Sequence, residues 1–363
     1  MDGVTGRRLS DVGEDGLVRS ILARYGPTAP TGVLVGPGDD AAVLDVAALG
    51  GGRVVLSTDT VVEGQDFRAE WSTAFDVGVK VAAQNLADIA AMGARPVALL
   101  VALAAPPHLE AEWAEHLAEG LADECGRAGA SVVGGDVSAA AEVVITGTAV
   151  GLIDADPVRR DGARPGDVVA LAGQPGRSAA GLALLRAGLA AGAGGGEGAE
   201  REDAGRQEQA LARLVEAHRA PRPPYEAGPA AAAAGASALI DTSDGLLRDA
   251  DRVAQASGVV IDLDSAALAP SAALLIAAGR FPADGADGAD GEAARRALEW
   301  VLTGGEDHCL LATFPPGARL PAGFSAIGAV RAAASRGPGS RGAAGVLVDG
   351  QPWAGPTGWH HFA

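Results

Sequence analysis

Two carboxylates and two hydroxyls follow one another in Asp241, Thr242, Ser243 and Asp244, where the apolar run of "SALIDTSDGLLRD" gives way to a helix-like pattern. Asp and Ser cap helices and shape turns, so the run alone is ordinary turn chemistry. Four more acids stand in similarly charge-poor surroundings: Asp40 in "VGPGDDAAVL", Asp59 in "LSTDTVVEG", Asp88 in "NLADIAAMG" and Asp136 in "VVGGDVS". Brought together, two carboxylates about 4 Å apart repel by about 1 kcal/mol in water and about 4 kcal/mol at an effective dielectric near 20. Several such pairs rival a whole stability of ~5–15 kcal/mol. A converged cluster must therefore be protonated or occupied by cations. Aspartates with hydroxyl and water ligands suit Mg²⁺, and Mg²⁺ held by a few carboxylates usually carries substrate phosphates. Ser57, Thr58 and Ser243 are neighbouring hydroxyls of the right kind.

Glycines supply the other half of a phosphate site. "GPGDD", "GGD" with Gly135, "GQPGRSAAG" and "SDGLL" place Gly beside polar residues at strand ends, where backbone N–H groups can approach an anion. Arg160 in "VRRDGARPGD" is a candidate phosphate contact. Lys80 is the only lysine, and it lies in "DVGVKVAAQ", which removes a P-loop. A net charge of −18 with 28 scattered basic residues disfavours a nucleic-acid surface. Cys125 and Cys309 stand far apart and give neither a disulfide framework nor a cysteine zinc site. No h-region opens the chain, and its apolar runs are too short to span a bilayer, so a soluble, cytoplasmic protein without a membrane partner is expected.

The elements that must position these residues follow from periodicity. Helices are expected in "LSDVGEDGLVRSILARYG", "TAFDVGVKVAAQNLADIAAMGARP", "HLEAEWAEHLAEGLADECGRAG", "SAAGLALLRAGLAAG" and after "DTSDG". The second of these closes at Gly93 and carries Lys80, Gln84 and Asp88 as a polar seam. Strands are expected in "GVLV", "RVVLSTDTVV", "PVALLVALAAP", "ASVVGGD", "AEVVITGTAVGLI" and "DVVALAGQPG". Three biased segments, "GAGGGEGAEREDAG", "ADGADGADGEA" and "RAAASRGPGSRGAAG", read as loops. At 363 residues, with turn-rich composition around "DADPVRRDGARPGD", two domains are expected, residues 1–152 and 153–363, in α/β or α+β layers.

The order "GPGDDAAVL", "STDTVVEGQDF", "VKVAAQNLADIAAMGARP", "GGDVS", "RRDGARPGDVVALAGQPGRSAAGLALL", "LIDTSDGLLRD", "LTGGEDHCLL" and "GWHHF" resembles the thiamine-monophosphate kinase family, within the aminoimidazole ribonucleotide synthetase superfamily. The resemblance implies a two-domain synthetase-like fold: an N-terminal domain with a dimer-forming sheet, and a C-terminal α/β domain that closes over phosphates. It implies ATP- and Mg²⁺-dependent phosphorylation of thiamine monophosphate to thiamine diphosphate, the last step of that cofactor's synthesis, by direct in-line transfer in a homodimer. Asp40, Ser57, Thr58, Asp59, Asp88, Asp136, Asp241 and Asp244 are implied metal ligands, with Asp40, Asp88 and Asp241 central to metal-assisted transfer. Gly135, Asp136, Arg160 and Ser243 are implied ATP contacts, and Glu306 an implied thiamine contact. No general base is needed, because the acceptor phosphate is itself a nucleophile. The chain departs from the family pattern at Asp66 of "EGQDF", at His308 and Cys309 of "GGEDHCL", and at Pro356, where Trp353 and Trp359 flank the expected aromatic contact. These departures fall on the acceptor side. A sister activity on the same scaffold and a non-catalytic nucleotide or thiamine-phosphate sensor are the alternatives; turnover of ATP that depends on thiamine monophosphate separates them.

Overall fold

The computed structural model describes residues 8–25, 32–35, 43–189, 199–279, 290–333 and 343–359. The chain divides into two compact units, Met1–Ala90 with Ala94–Asp156, and Ala91–Gly93 with Pro157–Ala363. Each is a mixed α/β unit with its own sheet.

The first unit runs α1 (Leu9–Arg24), β1 (Val33–Val35), β2 (Val43–Leu44), β3 (Arg53–Val62), α2 (Ala74–Ala91), β4 (Arg95–Ala105), α3 (Ala111–Arg127), β5 (Ser131–Ala139) and β6 (Val144–Ile153). Its four-stranded sheet has the order β3-β6-β4-β5. One face is covered by apolar side chains such as Val81, Leu86, Ile89, Leu99 and Leu121, all fully buried. The other face is partly covered: Val33, Leu44, Val46 and Leu49 pack against Val97, Ala98, Val133 and Leu152. Farther along it, Val54 (51% exposed), Leu56 (67%) and Leu100 (37%) stand in the open. Arg24 pairs with Glu115 and Glu119 at 2.5 Å each and ties α1 to α3.

Helices α2 and α3 meet through two glycines. A Cβ on Gly78 would lie 2.2 Å from the Leu117 carbonyl oxygen, and one on Gly120 would lie 2.1 Å from that of Phe75. Backbone-to-backbone contact at this distance leaves no room for even a methyl group.

The second unit contains β7 (Val168–Ala172), α4 (Arg177–Arg186), α5 (Ala199–Arg219), α6 (Ala227–Ala233), β8 (Ala238–Thr242), α7 (Leu246–Ser257), β9 (Val259–Leu263), α8 (Ser265–Gly279), α9 (Asp290–Thr303), β10 (Cys309–Phe314), β11 (Phe324–Ala332) and β12 (Gly345–Val348). Its six-stranded sheet has the order β12-β9-β11-β7-β10-β8 and is antiparallel except for the parallel β12–β9 pair. Strands β8 and β10 are buried throughout, and both begin or end at acid-bearing loops.

Three loop expectations are corrected at their ends: "DGEA" of "ADGADGADGEA" opens α9, and Arg331, Ala332 and Gly345 of "RAAASRGPGSRGAAG" belong to β11 and β12, where pairing with β9 takes over. The "AEREDAG" end of "GAGGGEGAEREDAG" forms the first turns of α5, since Glu, Arg and Ala favour helix once the glycine run is past. The "ADG" repeat before Asp290, most of "RAAASRGPGSRGAAG", and the whole of "GPGDDA" with Asp40 lie outside the described residues.

Gly120→Ala is expected to lower stability by about 1–2 kcal/mol in thermal unfolding, because overpacking outweighs the gain in helix propensity. Gly126→Ala in the same helix meets nothing within 4 Å and should be neutral or stabilising. Equal effects of the two substitutions would refute the close helix contact.

Candidate functional site

In the first unit, strand alternation sorts the expected ligands onto two faces. Ser57 and Asp59 point to the α2 side: Ser57 Oγ donates to Asp88 Oδ2 at 2.6 Å, and the Asp59 amide donates to Asn85 Oδ1 at 3.0 Å. Thr58 points the other way, lies opposite Thr148, and donates to the Gly147 carbonyl at 2.7 Å. Asp136 shares that outer face, because it pairs with Ala102, which pairs with Thr146, which pairs with Thr60. The structure therefore brings Ser57, Asp59 and Asp88 to one side of the sheet and leaves Thr58 and Asp136 on the other. Residues 57, 58 and 59 cannot all face one way in a regular strand.

Asn85 is a residue that the sequence reading missed. It is wholly buried, donates to the Val81 carbonyl at 2.9 Å and holds the Asp59 backbone. Gly147 makes its space, since a Cβ there would lie 2.4 Å from Asn85 Nδ2. The residues of the expected seam, Lys80, Gln84 and Asp88, differ in burial, and Asp88 accepts from Ser57. Lys80 is buried and donates to the Asp66 carbonyl at 3.2 Å, while Gln84 is half-buried. The Asp66 carboxylate accepts from the Val62 amide at 2.8 Å and shapes its own turn. Gly135 is required where it stands, for a Cβ would lie 1.9 Å from the Val101 carbonyl oxygen.

In the second unit the two motif loops are laced together. Strand β8 delivers Asp241 and Thr242; the turn Ser243-Asp244-Gly245 then starts α7. The Glu306 amide donates to the Ser243 carbonyl at 2.8 Å, the His308 amide to that of Thr242 at 3.2 Å, and the Cys309 amide to Thr242 Oγ1 at 3.1 Å. Gly245, at φ 118°, has the Thr303 carbonyl 2.6 Å from where a Cβ would sit, so a side chain would force the loops apart. Glu306 and His308 both take positive φ, 63° and 49°, a conformation that costs non-glycine residues energy and is held by these surroundings.

The buried acids here are each met differently. Asp241 Oδ2 lies 3.3 Å from His308 Nδ1. Asp244 takes Arg248 Nε at 3.3 Å and Arg252, which also holds Asp249. Burial, then the charge of Asp241, pushes the Asp249 carboxyl up to about 7, against the pull of Arg252 and the Asp244 amide. Asp307 is half-buried; desolvation pushes it up to about 7 although the Gly176 and Ser178 amides donate to it at 2.6 and 2.8 Å. The anion expected at "GQPGRS" is thus, at these two amides, the chain's own Asp307. Glu306 Oε2 lies 3.3 Å from His218 Nδ1, which is itself 2.9 Å from Ser178 Oγ.

The chain's end returns to this place. The Trp359 amide donates to the Asp244 carbonyl at 2.9 Å, and its residue is 54% exposed, whereas the Trp353 indole N–H donates to the Pro356 carbonyl at 3.0 Å. Of the two tryptophans, Trp359 is the one bonded to the acid-bearing turn. Arg160 is exposed and lends its carbonyl to Ser257 Oγ. Asp249, Arg252, Asp307, His218 and Ser178 were missed in the sequence. The one signal was the spacing Asp244, Arg248, Asp249, Arg252 along a single helix start.

Among the described residues no helix is long and apolar enough to cross a membrane. Residues 38–153 match the family model "AIR synthase related protein, N-terminal domain". The chain is 43% identical to the thiamine-monophosphate kinase of Mycobacterium tuberculosis over 98% of its own length and 93% of the relative's. Its fold is similar to the crystal structure of thiamine-monophosphate kinase from Stenotrophomonas maltophilia (TM-score 0.71, 28% identity, covering 92% of this chain and 96% of that one). It is also similar to AaThiL complexed with AMPPCP and TMP (TM-score 0.68, 28% identity, 99% and 100%).

A carboxyl whose pKa is raised by folding holds its proton more tightly in the native state. The stability it contributes is full below the unfolded value near 4 and is lost as pH rises to about 7. Asp307→Asn, which stays neutral, should therefore lose less melting temperature than the parent between about pH 4 and about pH 7. Parallel melting curves across that range would contradict the assignment.

Proposed function

Because the chain belongs to the thiamine-monophosphate kinase family, we propose that it transfers the γ-phosphate of ATP to the phosphate of thiamine monophosphate, giving thiamine diphosphate and ADP. The observation that carries this reading beyond likeness is the lacing of the "DTSDG" and "GGED" loops, which sets Asp241, Asp244 and Glu306 on adjoining, mutually fixed backbone.

The donors in each unit are carboxylate and hydroxyl oxygens, the set a hard cation selects. Burial is the larger cause of the raised Asp249 carboxyl, and the Asp241 charge adds to it, so the acids of this turn stand close enough to repel. Such residues fit Mg²⁺. Ser57, Asp59 and Asp88 would hold it in the first unit, and Asp241 and Asp244 in the second; Asp40 completes the proposed set, while Thr58 and Asp136, on the opposite face of the sheet, would have to meet a different ion. Bound Mg²⁺ supplies charge against the transferring phosphoryl group. Gly135, Asp136, Arg160 and Ser243 are the proposed ATP contacts. Glu306, positioned by His218 and Ser178, is proposed to meet the thiamine part, with Trp359 offering an exposed ring for stacking. Asp66 and Trp353 remain acceptor-side candidates, each with its polar group also serving local structure. Transfer is direct, because the acceptor phosphate needs no base to act as nucleophile.

The exposed Val54, Leu56 and Leu100 support a homodimer in which a second copy covers the outer sheet face, since contiguous apolar residues on one face mark an interaction surface.

Three outcomes test these statements. Purified protein with Mg-ATP should form thiamine diphosphate and ADP in equal amounts only when thiamine monophosphate is present and only without excess chelator. Asp88→Asn should lower kcat at least about a hundredfold with an unchanged fold. Thiamine-monophosphate-independent ATP turnover would favour a sister activity, and binding without turnover a sensor. Leu56→Glu should halve the mass seen by light scattering; an unchanged mass would place the dimer contact elsewhere.

A further inference from the structure

The second unit holds a cavity of about 440 Å³ at the start of α4 and the end of α5, in the size range of small-molecule sites. Its polar walls come from separate elements: Arg177 from α4, Arg213 and Glu216 from α5, Arg222 from the proline-rich turn after it, and Asp307 from the loop before β10. Three guanidiniums against two carboxylates is a local positive excess in a chain of net charge −18. One of those carboxylates, Asp307, is already engaged by the Gly176 and Ser178 amides. Among the described residues neither Arg177 nor Arg213 makes an ion pair, and Arg177 Nε is a buried donor without a hydrogen bond. Buried donors are normally satisfied, so this one points to a missing acceptor. Pro221 and Pro224 give the wall a fixed backbone course.

We propose that this cavity is a binding site for a small molecule carrying a diphosphate group, gripped by Arg177, Arg213 and Arg222. The planar fork of arginine matches phosphate oxygens in pairs, and three forks carried on separate elements can be spread over the two linked phosphates of a diphosphate. Residues proposed above to hold Mg²⁺ or ATP do not line it, and the inference stands apart from the proposed kinase reaction. Because Asp307 is both a wall of the cavity and the sequence neighbour of Glu306 and His308, an occupant would rest against the loop laced to β8.

The test is calorimetric titration of sodium pyrophosphate into the full chain with excess EDTA, which withholds Mg²⁺ from the acid clusters, at matched ionic strength. One saturable site per chain is expected, at least tenfold weaker in Arg213→Ala and in Arg177→Gln, with orthophosphate at least tenfold weaker than pyrophosphate in the parent. No saturable binding, parent-like affinity in both variants, or equal affinity for the two anions overturns the proposal. Arg213 is exposed, so its variant should fold as the parent does, checked by circular dichroism. Kinase turnover of Arg213→Ala at saturating substrates is a separate readout: its persistence with lost pyrophosphate binding assigns the effect to the cavity.

Discussion

A carboxylate taken out of water must be met by a cation, a proton or a set of N–H donors, and the second unit is organised around that requirement. Five acids crowd the end of β8 and the start of β10. Asp244 is met by two guanidiniums, Asp249 by one of them and by a backbone amide, Asp241 by His308, Glu306 by His218, and Asp307 by two amides at the start of α4. The glycines follow from this crowding. Gly245 and Gly305 let the two acid-bearing loops touch backbone to backbone, for a Cβ on Gly305 would lie 2.6 Å from the Ser243 carbonyl oxygen.

The first unit solves a different problem. Asp59 and Asp136 are exposed, so water screens them and they need no internal cation to be tolerated. What must be fixed there is direction. Asn85 does this for Asp59, through a side chain that is buried and bonded at both ends, and Ser57 does it for Asp88. These two orienting bonds in the first unit come from neutral groups, whereas in the second unit charge is prominent.

Much of this was legible in the sequence. Helix α2 and its end at Gly93 follow from the apolar spacing and the left-handed glycine, φ 75°. The strand–turn–helix of "LIDTSDGLLRD" follows from an apolar run meeting turn residues. The acids themselves stood out because the runs around them are poor in charge. Partners were less legible. Asn85 looked like one more polar residue beside Gln84, and only the register of β3 against β6, with Gly147 opposite, shows which one is buried. Asp307 sits next to Glu306 in "GGED", and the two reach the start of α4 through different groups, Asp307 at the Gly176 and Ser178 amides and Glu306 beside His218 and the Ser178 hydroxyl. Period-two alternation was legible too, and applied to "LSTDT" it is enough by itself to separate Thr58 from Ser57 and Asp59.

The arginines of α7 set the terms on which a cation can be taken up. Removing one partner of a buried pair is costly because it strands the other charge, so Asp244 must always have a counter-charge. Here that charge is internal, and the unit can fold without a metal ion. The side chains of Arg248 and Arg252 are partly exposed, at 24% and 35%, so each lies near enough to water to move its head while its stem stays packed. A divalent ion proposed at Asp244 would have to exchange with two arginines rather than fill a bare anionic hole. Exchange of this kind lowers the affinity for the ion by the strength of the pairs that it breaks, and in return spares the empty enzyme an uncompensated cluster of acids. The same pairing gives Asp249, fully buried beneath the turn, a counter-charge that offsets part of the repulsion from Asp241.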